Sequence, residues 1–203
     1  MNSKCSLTIP QKISVIIVNH NAGLLLVDCV RSCLAQAQQI IVVDNASSDN
    51  SLAVLETSFP QESRLQVIRT GRNNGFASGC NVGIKEANEL FLLFLNPDCV
   101  LEDGSLARMG NVLQDSSQVG MVGGLLVNLD GSEQGGGRRA VPTPWRSFVR
   151  AFGLHRFASR WPHLFYDFHL YMEPLPKGPI EVEAISGACM LMKRKALDDV
   201  GLW

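Results

Sequence analysis

Four short apolar segments, Ile13 to Val18, Ile40 to Val43, Leu65 to Ile68 and Leu90 to Leu95, recur along the first half of the chain with almost no polar alternation inside them. A strand that faces water on one side alternates, whereas one that is apolar throughout is covered on both faces, as in a parallel sheet between two helical layers. The intervening stretches supply those layers. Leu26, Cys29, Val30, Cys33 and Leu34 repeat at helical spacing, and Asp49 or Asn50 can cap a helix carrying Leu52, Leu55 and Phe59 that stops before Pro60. Ser78 to Asn88 turns Cys80, Ile84 and Ala87 inward, and Leu106, Met109, Val112 and Leu113 form a further stripe. The βαβαβαβ order predicts an open α/β sheet.

Beyond residue 113 the pattern weakens. Val119 to Asn128 reads as one or two strands interrupted by Gly123 and Gly124. Asp130 to Pro144 is rich in Gly, Pro and Arg, and Trp145 to Pro179 is aromatic and proline-punctuated, which predicts a long irregular excursion. Strand character returns within Ile180 to Lys193, around Ser186-Gly187. The expected division is an α/β domain over 1–130 and an irregular, acceptor-side region over 131–203. Ending on Val200-Gly201-Leu202-Trp203 without a capping turn, the chain reads as cut short.

Composition narrows the function. With 18 Lys+Arg against 19 Asp+Glu among 203 residues, no electrostatic footprint for nucleic acid exists, so any partner must be met at a specific site. The longest strictly apolar run, Leu90 to Leu95, falls far short of the roughly 20 residues that cross a bilayer. Met1 to Gln11 is polar and contains Pro10, so the expected location is the cytoplasm, at most on the inner face of a membrane. Cys5, Cys29, Cys33, Cys80, Cys99 and Cys189 lack CxxC spacing and sit mostly in apolar segments, which predicts buried thiols.

The polar residues cluster where the strands end. Strand one runs into Asn19-His20-Asn21, strand two into Asp44-Asn45-Ala46-Ser47-Ser48-Asp49, and strand four into Asn96-Pro97-Asp98. Strand three leads into Gly71-Arg72-Asn73-Asn74-Gly75-Phe76, followed by Gly79 and Gly83, four glycines at four-residue spacing that allow close backbone approach. Carboxyl ends of strands are where open α/β sheets bind ligands. Neither GxGxxG after the first strand nor a P-loop is present, so dinucleotide dehydrogenases and P-loop enzymes lose their main support. Asp44 is suited to accept hydrogen bonds from a base or ribose, and Asp98 to hold a hard cation.

The ordered set of Val15-Ile16-Ile17-Val18-Asn19-His20-Asn21, Val42-Val43-Asp44-Asn45-Ala46-Ser47-Ser48-Asp49, Asn74-Gly75-Phe76-Ala77 with Asn81 and Gly83, and Leu95-Asn96-Pro97-Asp98 resembles the successive signatures of family 2 glycosyltransferases, in particular a rhamnosyltransferase-like subgroup. Ser186-Gly187-Ala188-Cys189-Met190-Leu191 is similar to the segment that family places beside its acceptor. The resemblance implies a GT-A fold, an open, mostly parallel Rossmann-like sheet with helices on both faces. It further implies transfer, with inversion, of a sugar from a nucleoside-diphosphate donor, first dTDP-rhamnose, to a glycan or lipid-linked acceptor in envelope polysaccharide assembly. Asn19 and Asn21 would line the base and ribose pocket largely through backbone, Asp44 would contact the nucleobase, Asn74, Gly75 and Asn81 would lie along the nucleotide, and Asn96 would stand where the commoner motif has an aspartate. Asp98 would bind Mg²⁺ or Mn²⁺ at the diphosphate; Ser186 and Gly187 would lie on the acceptor side.

The acidic base of that family is expected shortly beyond Trp203, so no catalytic base is assigned here. Asp167, Glu173, Glu181, Glu183, Asp198 and Asp199 read as solvated charges, and His20, His155, His163 and His169 as structural or surface residues. Arg138 and Arg139 read as a phosphate clamp or a solvated loop. Trp145, Phe148, Phe152, Trp161, Phe165, Tyr166, Phe168 and Tyr171 read first as packing for the excursion, with an acceptor sugar or peripheral membrane contact as the alternative. Two other functions stay open: a catalytically silent nucleotide-sugar-binding module, and a sugar nucleotidyltransferase, although Asn19-His20-Asn21-Ala22-Gly23 is not the basic glycine-rich loop the latter needs.

Overall fold

The computed structural model describes residues 12–135, 137–139, 141, 143–157, 160–161, 175–176 and 178–203. These divide into two compact units, Met1–Val122 with Gly187–Trp203, and Gly123–Ser186. The division expected at residue 130 is linear, whereas the observed first unit takes back the last stretch of chain, because a strand near residue 190 pairs with the fourth strand.

The first unit is built on a mixed sheet. Its elements are β1 (Ile13–Asn19), α1 (Leu25–Leu34), β2 (Gln39–Asp44), α2 (Ser51–Ser58), β3 (Leu65–Arg69), α3 (Phe76–Glu86), β4 (Phe91–Leu95) and α4 (Ser105–Asp115). The short β5 (Met121–Gly123) follows, and after the second unit come β8 (Cys189–Lys193) and α6 (Arg194–Val200). Sheet order is β3-β2-β1-β4-β8-β5. β1 to β4 are mutually parallel, in register Asn19 to Asp44, Asp44 to Arg69 and Ile17 to Leu95; β8 runs antiparallel to β4, Leu95 opposite Cys189. The chain steps outward from β1 to β3, then returns to the other side of β1, and right-handed crossovers therefore put α1 and α2 on one face and α3 on the other. Helices thus cover both faces, as predicted from strands without alternation. Val119 to Asn128 yields only β5 and an isolated bridge from Val127 to Glu133.

On the α3 face, Ile16, Val18, Ile41, Val43, Leu92 and Phe94 pack with Cys80, Ile84, Ala87, Met192 and Leu197. The four-residue glycine spacing divides into two uses. Gly71 and Gly75 have φ of 74° and 84° with open space where a Cβ would stand, so they shape the loop. Gly79 and Gly83 instead press α3 onto β1: a Cβ would fall 2.7 Å from Val18 Cγ1 and 2.4 Å from Ile16 Cγ2. Gly83→Ala is therefore expected to destabilise. Overpacking costs about 1–3 kcal/mol, against about 1 kcal/mol returned by the better helix propensity of alanine. Urea unfolding measures the balance, and a variant as stable as the parent would show that buried Ile16 can turn aside.

In the second unit, β6 (Arg138–Arg139) pairs antiparallel with β7 (Ala184–Ile185). Between them lies α5 (Pro144–Ala151), which departs from the irregular excursion predicted there. Its start obeys ordinary rules, since the Thr143 side chain accepts from Arg146 N and Pro144 occupies the first turn, where no N–H is needed.

Candidate functional site

The carboxyl ends of β2, β1 and β4 lie side by side, and the chain reverses its direction of travel across the sheet at β1, the switch point where open α/β sheets leave a crevice. Asn19, Asp44 and the Asn96-Pro97-Asp98 loop are therefore brought to one edge. Their side chains first bind the loops to one another.

Asn19 is wholly buried, and its Nδ2 donates to Asp44 Oδ1 at 2.9 Å, Ser47 Oγ at 2.9 Å and Ser51 Oγ at 3.0 Å, while its Oδ1 meets no partner among the described residues. Asp44 closes its own turn, accepting from Ser47 N at 3.2 Å and from Ser47 Oγ at 2.5 Å. Asn21, at φ 58°, donates its N–H to Ser47 Oγ and accepts through Oδ1 from Ser48 N at 2.7 Å and Asp49 N at 3.2 Å. Asp49 takes Gly23 N at 3.0 Å, and the hydroxyl and N–H of Ser51. Those bonds, that of the Ser51 hydroxyl first, hold its carboxyl below the usual carboxylate range. The side chain of Asn50, at the N-cap of α2, makes no capping bond; Asp49 satisfies the first turn instead.

Asn45 extends the linkage to the third loop. Its Nδ2 donates to Gly75 O at 2.9 Å, its N–H to Asn19 O at 2.8 Å, and its carbonyl meets His20 Nδ1 at 3.0 Å. Asn73 accepts Gly75 N at 3.0 Å, while Asn74 beside it is exposed. Asn45, Ser47 and Asn73 lie in the polar clusters read from sequence but were not singled out there, and Asp49 was read only as a candidate helix cap. Their signal was composition, Asn, Asp and Ser in tight turns, which does not say which loop each will bridge.

Asn81 sits a turn and a half into α3 and grips the backbone of Trp203: its Nδ2 donates to Trp203 O at 2.5 Å and its Oδ1 accepts Trp203 N at 3.2 Å. The indole of Trp203 packs on Phe94 and Phe76, ring centroids 4.6 and 6.3 Å away. This amide is committed within the protein, in contrast to the exposed Asn74.

At the end of β4, Asn96 N donates to Ala188 O at 2.9 Å, fixing this loop to the start of β8, directly after exposed Gly187. Ser186 belongs to the second unit, where its N–H donates to Gly137 O. The Asn96 carbonyl accepts from Cys99 N and the Cys29 thiol. Cys29, Cys33, Cys80 and Cys189 are buried, and Cys99 is half-buried, its thiol pushed up to about 11, chiefly by burial. Asp98 is exposed, its carboxylate meeting only the Cys99 thiol at 3.8 Å among the described residues. No group of three His, Cys, Asp or Glu that could cage a metal occurs among those residues. A hard cation here would find one oxygen-donating carboxylate unclaimed by any cation and would complete its shell from a ligand and water. The donor set fits a metal shared with substrate.

Other candidates fall elsewhere. Arg138 is buried in a two-bond ion pair with Glu133, at 2.6 and 2.7 Å, rather than reaching toward a phosphate. Glu183 pairs with Arg146 at 2.8 Å, which lowers its carboxyl. Asp167, Glu173, His163, His169, Phe165, Tyr166, Phe168, Tyr171 and Cys5, with the side chains of Arg139 and His155, lie outside the described residues. A recess of about 550 Å³ lined by Leu90, Phe91, Lys193, Arg194 and Asp198 is at the amino end of β4, opposite the polar loops.

Residues 14–201 match the sequence profile of Glycosyl transferase family 2. Glycosyltransferase GlyG of Streptococcus pneumoniae serotype 4 is 28% identical over 114 residues, covering 55% of this chain and 38% of that protein. N-acetylglucosaminyl-diphospho-decaprenol L-rhamnosyltransferase of Mycobacterium tuberculosis is 24% identical over 174 residues, 80% of this chain and 54% of that protein. A solved mannosyltransferase of Pyrobaculum calidifontis, in complex with GDP-Man and Mn²⁺, superposes with a TM-score of 0.62 at 16% identity, over 97% of this chain and 48% of that one. The fold is GT-A, and the chain spans about two-fifths to a little over half of these relatives' length.

Proposed function

The chain belongs to glycosyl transferase family 2, and from that premise we propose that its first unit is the donor-binding part of a glycosyltransferase using a nucleoside-diphosphate sugar. One observation carries the proposal: three loops of different sequence origin, after β1, β2 and β3, are hydrogen-bonded into one edge at the switch point, with the Asp98 carboxylate exposed on the β4 loop of that edge. An edge already tied together gives up little further entropy when a ligand settles on it.

Within this proposal, Asn19 and Asn21 shape the base and ribose pocket chiefly by holding the β2 loop, and Asp44 presents its remaining lone pairs to the base. Asn74 and Gly75 border the nucleotide, and Asn81 supports that border from behind through Trp203. Asp98, with Asn96 beside it, would hold Mg²⁺ or Mn²⁺. When bound, that cation neutralises charge developing on the diphosphate leaving group. The mannosyltransferase neighbour, solved with GDP-Man and Mn²⁺, is in keeping with this choice. For the sugar, rhamnose from its thymidine diphosphate is the first donor to try, supported by the Asn-Pro-Asp signature and the mycobacterial rhamnosyltransferase relative. Transfer would invert the anomeric carbon and deliver the sugar to a glycan or lipid-linked acceptor met from the Ser186-Gly187 side.

Calorimetry with UDP, dTDP and GDP, each with and without Mn²⁺, tests the donor site. One nucleotide should bind at least about tenfold more tightly than the others, and only with metal. If none of the three binds with metal present, the proposal fails.

A further inference from the structure

The second unit carries a surface that the donor site does not explain. α5 has one inward anchor, Val149, which is fully buried, while Trp145, Phe148 and Phe152 are 52%, 44% and 66% exposed. These three occupy positions i, i+3 and i+7, one helical face; Trp145 stacks on Phe148 at 5.6 Å, and Phe152 meets Phe148 tilted at 4.5 Å. Phe157 and Trp161, just beyond, are likewise half-exposed. Five large aromatic side chains within seventeen residues thus meet solvent, where burial in a core would be the normal outcome. The same stretch is one-sided in charge: no carboxylate occurs between Glu133 and Asp167, whereas Arg150, Arg156 and Arg160 all do.

We propose that this face of α5, with the turn that follows, seats the second unit on an anionic lipid bilayer. An aromatic face opposite an arginine-bearing one is the pattern of a helix lying in the headgroup region, where rings enter the acyl boundary and guanidinium groups meet lipid phosphates. The occupant is a bilayer rather than a folded partner because Arg150, Arg156 and Arg160 spread positive charge along a stretch, residues 134–166, that has no acidic residue of its own to set a register against a protein surface, while Arg146 is already paired with Glu183. No helix among the described residues is long and apolar enough to cross a membrane. Of the aromatic residues expected to pack the excursion, Trp145, Phe148, Phe152 and Trp161 keep about half of their surface exposed. The inference stands on the second unit alone and does not depend on the donor site being correctly assigned.

Sedimentation of the 203-residue chain with vesicles, in the absence of nucleotide, tests it. Binding to phosphatidylcholine containing phosphatidylglycerol should exceed binding to phosphatidylcholine alone by about tenfold or more and weaken as salt rises. The double variant Phe148→Ser, Phe152→Ser, checked for native circular dichroism, should lose about tenfold on the anionic vesicles. Should it misfold, Trp145→Ser is read in the same way. Equal binding to both vesicle types, no binding to either, or undiminished binding by a folded variant would overturn the proposal, as would self-association through this face without any effect of lipid.

Discussion

Asp98→Ala is expected to erase the effect of Mn²⁺ on nucleoside-diphosphate binding while leaving the fold as it is. The carboxylate is exposed and makes no ion pair among the described residues, so its removal disturbs no packing. What it removes is an exposed carboxylate on this edge that, among the described residues, meets only a thiol. Loss of even a supporting group of a metal site typically costs about 10- to 100-fold in affinity, and a ligand itself should cost no less. Titration of Mn²⁺ into protein with saturating nucleotide reads this directly. Metal affinity within twofold of the parent would show that the cation is held elsewhere, and thermal unfolding of the same variant separates that outcome from a folding defect.

Glu133→Ala should have the largest effect on stability. Its carboxylate and the Arg138 guanidinium are each more than nine-tenths buried and joined by two short bonds. Removing the acid takes two short charge-assisted bonds from a desolvated cation, and breaking a buried pair of this kind costs about 3–5 kcal/mol. The double replacement Glu133→Leu, Arg138→Met should recover much of the loss, because an apolar pair needs no desolvation to be offset. Protease cleavage within 123–186 monitors the second unit by itself. A single variant as resistant as the parent would mean that Arg138 reaches water or another carboxylate.

β1, β2 and β4 were legible because strands covered on both faces are apolar almost throughout, which shows in a single chain, whereas β3, at the edge of the sheet, has no buried residue and exposes Gln66 and Arg69. α1 to α4 followed from periodicity, and their inward residues, Leu26, Cys29, Val30, Cys33, Cys80, Ile84, Leu106 and Leu113, are buried as the spacing required. α5 was missed although Thr143-Pro144 is a proper helix start and Arg146 and Arg150 stand opposite its aromatic face, since eight residues repeat that pattern for only two turns inside a Gly- and Pro-rich surround. The pairing of β8 with β4 was hidden for a different reason: register between strands so distant in sequence is settled by which edge remains open, not by local pattern. At the site, Asn19 and Asn21 were expected to line the pocket largely through backbone and Asn81 to lie along the nucleotide; the side chains of all three hydrogen-bond to neighbouring loops or to Trp203. A sequence shows which groups are polar at a strand end; their partners depend on where the other loops arrive.

The antiparallel pairing of β8 with β4 also sets a timetable for biosynthesis. Leu95 leaves the ribosome about 90 residues before Cys189, its partner in the sheet, an interval of roughly 5–20 s at ordinary elongation rates. Throughout it, the five apolar residues of β4 present one unpaired edge, while the entire second unit is being made. An edge of that composition invites pairing with another nascent chain. The nascent protein should therefore depend on a holding chaperone until residue 193 has emerged, and slowing translation between residues 96 and 188 should lower its soluble yield.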